Sequence, residues 1–306
     1  MGGPLLGSAF LPELARDSRA WGASEVDPGP FPKRLIDARG GLHFMGKAPT
    51  RIVSNVLAAD EILLELVDPR RLAGVTYLVD DPTSTEITAP PVVPRVFGSV
   101  EGTLALGPDL VVIADYTSAE MSSLLMAAGA VVVRLNPVRT FADVGRNIEL
   151  VGRATGEEAR ARTLHERLLA RLRAARALGN AGTVRVLVWG YGNTYSEGCL
   201  QDDMITWAGA RNAARELGAH GIMPLSPERV ITLDPDLIVV TTPEPSARWG
   251  EAQRLEGPAW AWVPAVKRGA VLALPAAWLS SVTMHGVLAV EALARALTEL
   301  GAGGRS

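Results

Sequence analysis

Residues 100–112 read VEGTLALGPDLVV, and residues 227–239 read PERVITLDPDLIV. At one constant offset Glu101 falls on Glu228, Leu106 on Leu233, Pro108 on Pro235, Asp109 on Asp236 and Leu110 on Leu237. Each copy is an acidic residue, a short amphipathic stretch, a Pro-Asp stop and then an apolar strand. A unit repeated at half-chain distance predicts two similar lobes. Two lobes enclose a cleft, and clefts between domains are common sites for small ligands.

Outward from the first copy, RIVSNV from Arg51 and LAGVTYL are β-rich runs, and AADEILLELV between them has apolar residues at helical spacing. Asp68-Pro69 ends that helix, and Pro82, Pro90, Pro91 and Pro94 make residues 80–94 a loop. A short helix from Glu101 leads to strand DLVVIAD, and helix AEMSSLLMAAG leads to strand AVVVRL. These strands are apolar throughout, as expected where helices cover both faces of a parallel sheet. A hairpin, LIDARGGLHFMG, turns at Gly40-Gly41 ahead of this lobe.

Residues 141–178 are helical, with a joint at Gly156-Glu157. The second part, EEARARTLHERLLARLRAARAL, holds strong helix formers and no breaker. At about 1.5 Å per residue it spans roughly 30 Å, enough to bridge two lobes. Beyond the turn Gly179-Asn180 come strand VRVLVWG, helix DDMITWAGA, the second copy with strand DLIVVTT, a helix over 247–255, strand AVLALP and a last helix over 287–300. The expected fold class is α/β, two Rossmann-like lobes with mostly parallel sheets joined by one long helix. The expected boundaries are a flexible leader over 1–34, an N-terminal α/β lobe over 35–140, a helical linker with the bridging helix over 141–180 and a C-terminal α/β lobe over 181–306.

With 306 residues the chain can fill two cores, and 48% hydrophobic against 21% charged residues is a soluble, globular balance. A net charge of −3 without a basic block argues against a nucleic-acid partner. Cys199 is the only cysteine, which excludes an internal disulfide and a cysteine-rich metal site. No apolar run is long enough to cross a bilayer as a helix. The opening MGGPLLGSAFLPELARDSRAW has no basic residue ahead of its apolar patch, which makes a poor signal peptide. Either the export signal is missing from this start or the protein stays in the cytoplasm.

Two motifs are partial. Gly190-Tyr191-Gly192 half-matches the dinucleotide fingerprint, but Tyr195 replaces its third glycine and no helix opens there. The alternative is a glycine-rich loop at the mouth of a cleft. Thr194-Tyr195-Ser196-Glu197-Gly198 lacks the first glycine of a nucleophile elbow. His43, His165, His220 and His285 show no compact metal spacing, so no metal ligands are assigned. His165, inside the charged helix, is expected to be solvated. His220, in the loop AHGIMP, is placed either to line the cleft or to be an ordinary loop residue.

Aromatic residues recur where strands end. Tyr77 follows GVT, Tyr116 follows VVIAD, Tyr191 and Tyr195 follow VLVWG, and Trp278 follows LALPAA. The carboxyl ends of parallel strands face the ligand crevice. Flat rings there suit a large, planar, partly apolar ligand, the alternative for each being packing at a loop base. Trp207, Trp260 and Trp262 read as core or surface packing. Glu101 and Glu228 each open a short helix, either as favourable N-terminal charge or as a symmetric pair that docks onto basic residues of a partner.

At this point the segments form a family pattern. The chain resembles the substrate-binding proteins of ABC importers for vitamin B12, iron-siderophores and haem. The likeness lies in RIVSNVLAADEILLELVDPRRLAGVT, VEGTLALGPDLVVIA, LLMAAGAVVVRLNPVRTFADVGRNIELVGRATG, MPLSPERVITLDPDLIVVT and WVPAVKRGAVLALPAAW, in the expected order. It implies two α/β lobes on one long helix, a ligand in the shallow cleft between them and only modest closure. In the vitamin B12 branch one glutamate per lobe docks onto arginines of the membrane subunits, and these positions fall on Glu101 and Glu228. A cleft tryptophan of that branch falls on Trp278. Its tyrosine falls near Leu78, with Tyr77 an approximate stand-in, and its second-lobe tryptophan is Ile222 here. These departures count against vitamin B12 as the ligand, not against the family.

The resemblance implies a non-enzymatic, monomeric protein, periplasmic or otherwise extracytoplasmic, that delivers a metal chelate to the membrane subunits of an ABC importer. The chelate brings its own metal, so no further cofactor is expected. A corrinoid or other tetrapyrrole is preferred over an anionic siderophore, because Arg95, Arg139 and Arg248 are the only arginines in candidate loops. Oxyanions stay open. Haem would want an axial ligand such as Tyr77 or His220. The rivals are a hydrolase using Ser196, a cofactor-dependent enzyme at Gly190, and a cytoplasmic metal-chelate chaperone or sensor.

Overall fold

The computed structural model describes residues 31–178, 183–242, 248–249, 255 and 257–303. An antiparallel hairpin comes first, β1 (Lys33–Ile36) with β2 (Leu42–Met45). Lys33 is buried, ion-paired with Glu158, and sits 4.3 Å from the centre of the Phe31 ring. The fold therefore begins inside the stretch expected to be a leader.

The first lobe runs β3 (Ile52–Ser54), α1 (Leu57–Leu66), β4 (Leu72–Thr76), β5 (Arg95–Val96), α2 (Val100–Leu104), β6 (Leu110–Ile113), α3 (Ala119–Ala127) and β7 (Val131–Arg134). Its sheet is parallel throughout, in the order β5-β4-β3-β6-β7. The chain leaves β3 toward β4 and comes back to β6 on the other side. Such a switch point opens a crevice at the carboxyl ends of the strands. Two helices follow, α4 (Phe141–Thr155) and α5 (Glu158–Leu178).

The second lobe runs β8 (Arg185–Gly190), β9 (Asn193–Tyr195), α6 (Leu200–Trp207), β10 (Arg211–Asn212), β11 (Ile222–Pro224), α7 (Pro227–Leu233), β12 (Leu237–Thr242), β13 (Arg248–Trp249), α8 (Pro264–Lys267), β14 (Val271–Pro275), α9 (Ala276–Ser280) and α10 (Val287–Gly303). Strands β10, β8, β12 and β14 are parallel, and β13 pairs antiparallel with β14. Arg248 and Trp249 thus form a strand where a helix was expected over 247–255. Most of that expected helix, like the turn at Gly179-Asn180, lies outside the described residues. An antiparallel ribbon, β8-β9-β11, is an addition to the expected plan.

The repeated Pro-Asp closes the same clasp in each lobe. Asp109 accepts backbone N–H groups from Thr50 (2.8 Å) and Arg51 (2.9 Å) and the Thr50 hydroxyl (3.0 Å), and its own N–H donates to the Arg51 carbonyl (3.0 Å). Asp236 accepts the Arg185 N–H (2.7 Å) and donates its own to the Arg185 carbonyl (2.8 Å). The guanidinium of Arg51 caps the carbonyls of Leu106 and Gly107, and that of Arg185 caps Leu233 and Asp234. Arg185 thus bonds the last carbonyl of α7, where positive charge is favourable, and Arg51 bonds the turn just beyond the end of α2.

Helix α5 is held by both lobes. Arg167 pairs with Glu65 (2.6 Å) and Arg160 donates to the Leu66 carbonyl (2.8 Å), both on α1. Arg171 grips Glu291 on α10 with two bonds (2.7 and 2.9 Å). Helices α4 and α5 cross at Gly152, where an added Cβ would lie 2.3 Å from the Ala161 Cβ. His165 is not solvated: it is buried against α4, with Nδ1 3.2 Å from Glu149. One apolar core runs without a break from Leu35 through the helices to Leu297. A shared core makes the joint stiff, since packed interiors deform little.

Candidate functional site

The two sheets meet at their carboxyl ends. Trp278 follows β14 in the second lobe, and its indole N–H donates to the carboxylate of Glu86 (2.7 Å) in the loop after β4 of the first. Next to Glu86, the Thr85 hydroxyl donates to Glu61 (2.5 Å) on α1. Glu61, 2% exposed, also accepts from the Thr283 hydroxyl and from Ser281 (3.4 Å) of the second lobe. His285 Nδ1 stands 3.9 Å from the same carboxylate. The loop after β4 is therefore tied to the second lobe directly at Trp278 and, through Glu61 of α1, to the segment just beyond it.

Two other carboxylates are shifted by burial. Burial pushes Asp60 up to about 7, against hydrogen bonds from the Thr76 hydroxyl (2.5 Å), from Ser54 and from the Thr76 N–H. Burial also raises Asp203 to about 6, although it accepts the first N–H of α4, from Phe141 (2.7 Å).

The aromatic residues fall into three groups. Tyr77, at the end of β4, is half exposed and stacks on Phe97, with ring centres 5.2 Å apart and planes 12° apart. Tyr116 projects into solvent from the turn after β6. Beneath that turn the buried guanidinium of Arg134 donates to the carbonyls of Ala114 (2.8 Å), Asp115 (3.1 Å) and Thr117 (2.7 Å) and to Ser122 (3.0 Å). Tyr191 is exposed at the first position of a two-residue hairpin turn, with φ +51° there and +78° at Gly192. Positive φ at both central residues is the tight turn that fits the twist of paired strands.

Tyr195 lies within strand β9 instead of a loop, and burial raises its phenol above the ordinary range. Its strand partner is Ile222, which brings His220 to the same edge, 3.5 Å from Glu197 and exposed. Trp260 is buried edge-on against Trp189 and Trp207 is buried, while Trp262 is exposed with Lys267 over its ring. Arg139 is exposed, Arg95 is bound by Asp80, and the Arg248 side chain lies outside the described residues.

The enzyme motifs come apart. Gly190-Tyr191-Gly192 turns a hairpin and opens no helix, so it lacks the N-terminal amides that hold a pyrophosphate. Ser196 is fully buried and its hydroxyl donates to the Ala214 carbonyl (3.3 Å), out of reach of any substrate. Among the described residues no group of three or more His, Cys, Asp or Glu side chains gathers to hold a metal.

The profile of periplasmic binding proteins matches residues 52–277. The chain belongs to that family. A curated relative, the ABC transporter substrate-binding lipoprotein YvrC of Bacillus subtilis (strain 168), is 27% identical over 248 residues, 78% of this chain and 76% of the relative. Among solved structures, the apo form of the periplasmic haem-binding protein RhuT from Roseiflexus sp. RS-1 is 25% identical with a TM-score of 0.66, over 82% of this chain and 98% of that one. The periplasmic haem-binding protein HutB of Vibrio cholerae has a TM-score of 0.70 at 22% identity, over 81% and 98%. These neighbours share the two-lobe fold found here.

In this periplasmic binding protein Glu101 and Glu228 occupy equivalent exposed positions, each in the first turn of the short helix before its clasp. The Ser226 hydroxyl, then a backbone N–H, holds the Glu228 carboxyl below its ordinary range. Phe97 and Glu86 lie outside the aromatic and charge patterns read from the sequence. Each sits in or just after the proline-rich loop, whose path no periodicity reveals.

Proposed function

We propose that this periplasmic binding protein captures a bulky metal chelate of corrinoid, siderophore or haem type between its lobes and delivers it to the membrane subunits of an ABC importer. The contact between Trp278 and Glu86 carries this reading, because it locates the seam where the carboxyl ends of the two sheets face each other. The stacked pair Tyr77–Phe97 supplies an exposed apolar face, and Tyr116, Tyr191 and Tyr195 add rings at strand ends or on the hairpin edge. Rings in such positions suit a flat ligand. The ligand brings its own metal, and the protein acts as a monomer outside the cytoplasm, binding without turnover. For haem, Tyr77 and His220 are the side chains offered as iron ligands. Glu101 and Glu228 form the docking pair. The haem-binding names of RhuT and HutB, and the transporter name of YvrC, support this reading.

The test is a thermal-shift screen and tryptophan-fluorescence titration with cobinamide, cobalamin, haemin and ferric siderophores. A ligand at a hundredfold excess over its Kd adds about 2.7 kcal/mol to folding stability, an easily read rise in Tm. At least one probe should bind, and Trp278→Ala should weaken it tenfold or more. Failure of every probe to bind refutes the chelate reading.

A further inference from the structure

We infer that Glu86 sets the charge class of the ligand, so that the cleft selects a chelate that is cationic or neutral on the side facing Trp278. This rests on the binding role proposed above and deepens it.

Three observations lead there. First, Glu86 does not end in solvent: it is half-buried and fixed on the Trp278 indole N–H at 2.7 Å. The preceding residue, Thr85, is buried and bonded to Glu61, so the loop cannot swing the carboxylate away without breaking the tie at the seam.

Second, no cation among the described residues neutralises it. The nearest arginine in the sequence of this loop, Arg95, is fully engaged. Its Nε and Nη2 hold the two oxygens of Asp80 (2.7 and 2.8 Å), and its Nη1 donates to the carbonyls of Pro91 (3.0 Å) and Val93 (2.7 Å). Asp81 is served by the hydroxyls of Thr83 and Ser84 (both 2.7 Å), not by a base. The wall between Tyr77 and Phe97 therefore carries Asp80, Asp81 and Glu86 against Arg95 alone.

Third, Trp278 is the aromatic that the second lobe sends to this wall, so a ring stacked on it lies beside the Glu86 carboxylate. A fixed charge at the edge of a partly desolvated cleft acts more strongly than one in bulk water. It attracts a cationic chelate and opposes a ligand that presents carboxylates there.

The experiment compares wild type, Glu86→Gln and Glu86→Ala by fluorescence titration with diaquocobinamide, a cationic corrinoid, and with haemin, which carries two anionic propionates. The glutamine keeps an oxygen for the Trp278 N–H and removes only the charge. In the glutamine variant the Kd for cobinamide should rise, and that for haemin should fall, each by about tenfold. The alanine variant should also shift the Trp278 emission, because the indole loses its acceptor. A residue that merely braces the tryptophan would leave the Kd ratio of the two probes unchanged in Glu86→Gln, and that result overturns the inference. If neither probe binds the wild-type protein while another chelate in the screen does, charge selection by Glu86 fails and the binding role stands. If no chelate binds, both fall together.

Discussion

Replacing Asp60 by asparagine should change how the stability of this protein depends on pH. Asp60 is fully buried on α1, and burial raises its carboxyl from 3.8 to about 7. Between about pH 4 and 7 the folded state keeps a proton that the unfolded chain has released. Stability due to this group is therefore complete below pH 4 and is lost as pH rises through 7. At about 1.4 kcal/mol per pH unit, the loss from Asp60 is on the order of 4 kcal/mol.

Asparagine is nearly isosteric with the protonated acid and cannot ionise. Any cost of its amide in the contacts with Thr76 is the same at every pH and is read at the acid end. Urea unfolding of wild type and Asp60→Asn at pH 4.5, 6 and 7.5 should show the variant gaining on wild type as pH rises, by about 3 kcal/mol across this range. Asp203, raised by burial to about 6, titrates in both proteins and cancels in the difference. A difference that stays constant from pH 4.5 to 7.5 would refute the reasoning.

Two further outcomes are expected. Reversing the proposed docking pair, Glu101→Lys with Glu228→Lys, should abolish uptake in a transport assay with reconstituted importer while leaving chelate Kd unchanged, since exposed charges steer association; retained uptake would remove the docking role. The two clasps should differ in strength: Asp109→Ala, which loses three hydrogen bonds, should cost about 3 kcal/mol, and Asp236→Ala, which loses one, about 1.5 kcal/mol, in urea unfolding. Equal losses would mean that the clasps do not act through these bonds.

The parts legible in the sequence were those that depend on local chemistry. Apolar strand runs, helix formers over 158–178 and the Pro-Asp repeat all act on neighbours in the chain, so their pattern states their structure. The repeat went further than expected, because its aspartates and the facing arginines build one clasp twice. Errors fell where a distant contact overrode a local tendency. His165 sits in a charged helix, yet α4 covers it. Tyr195 follows a glycine turn, yet pairing with Ile222 makes it a strand residue. Lys33 reads as part of a leader, yet Glu158 draws it into the fold.

Composition, spacing and repetition alone were enough to establish two α/β lobes, a helical brace, and aromatic rings at strand ends, since each follows from side-chain period and from residues a few positions apart. Only the tertiary structure decided which groups meet across the lobes and their helical linker: Glu86 with Trp278, Glu61 with Thr283, Asp203 with the start of α4. Such partners lie far apart in the chain, and their pairing depends on how two rigid bodies pack around a shared core, a geometry that no local pattern encodes.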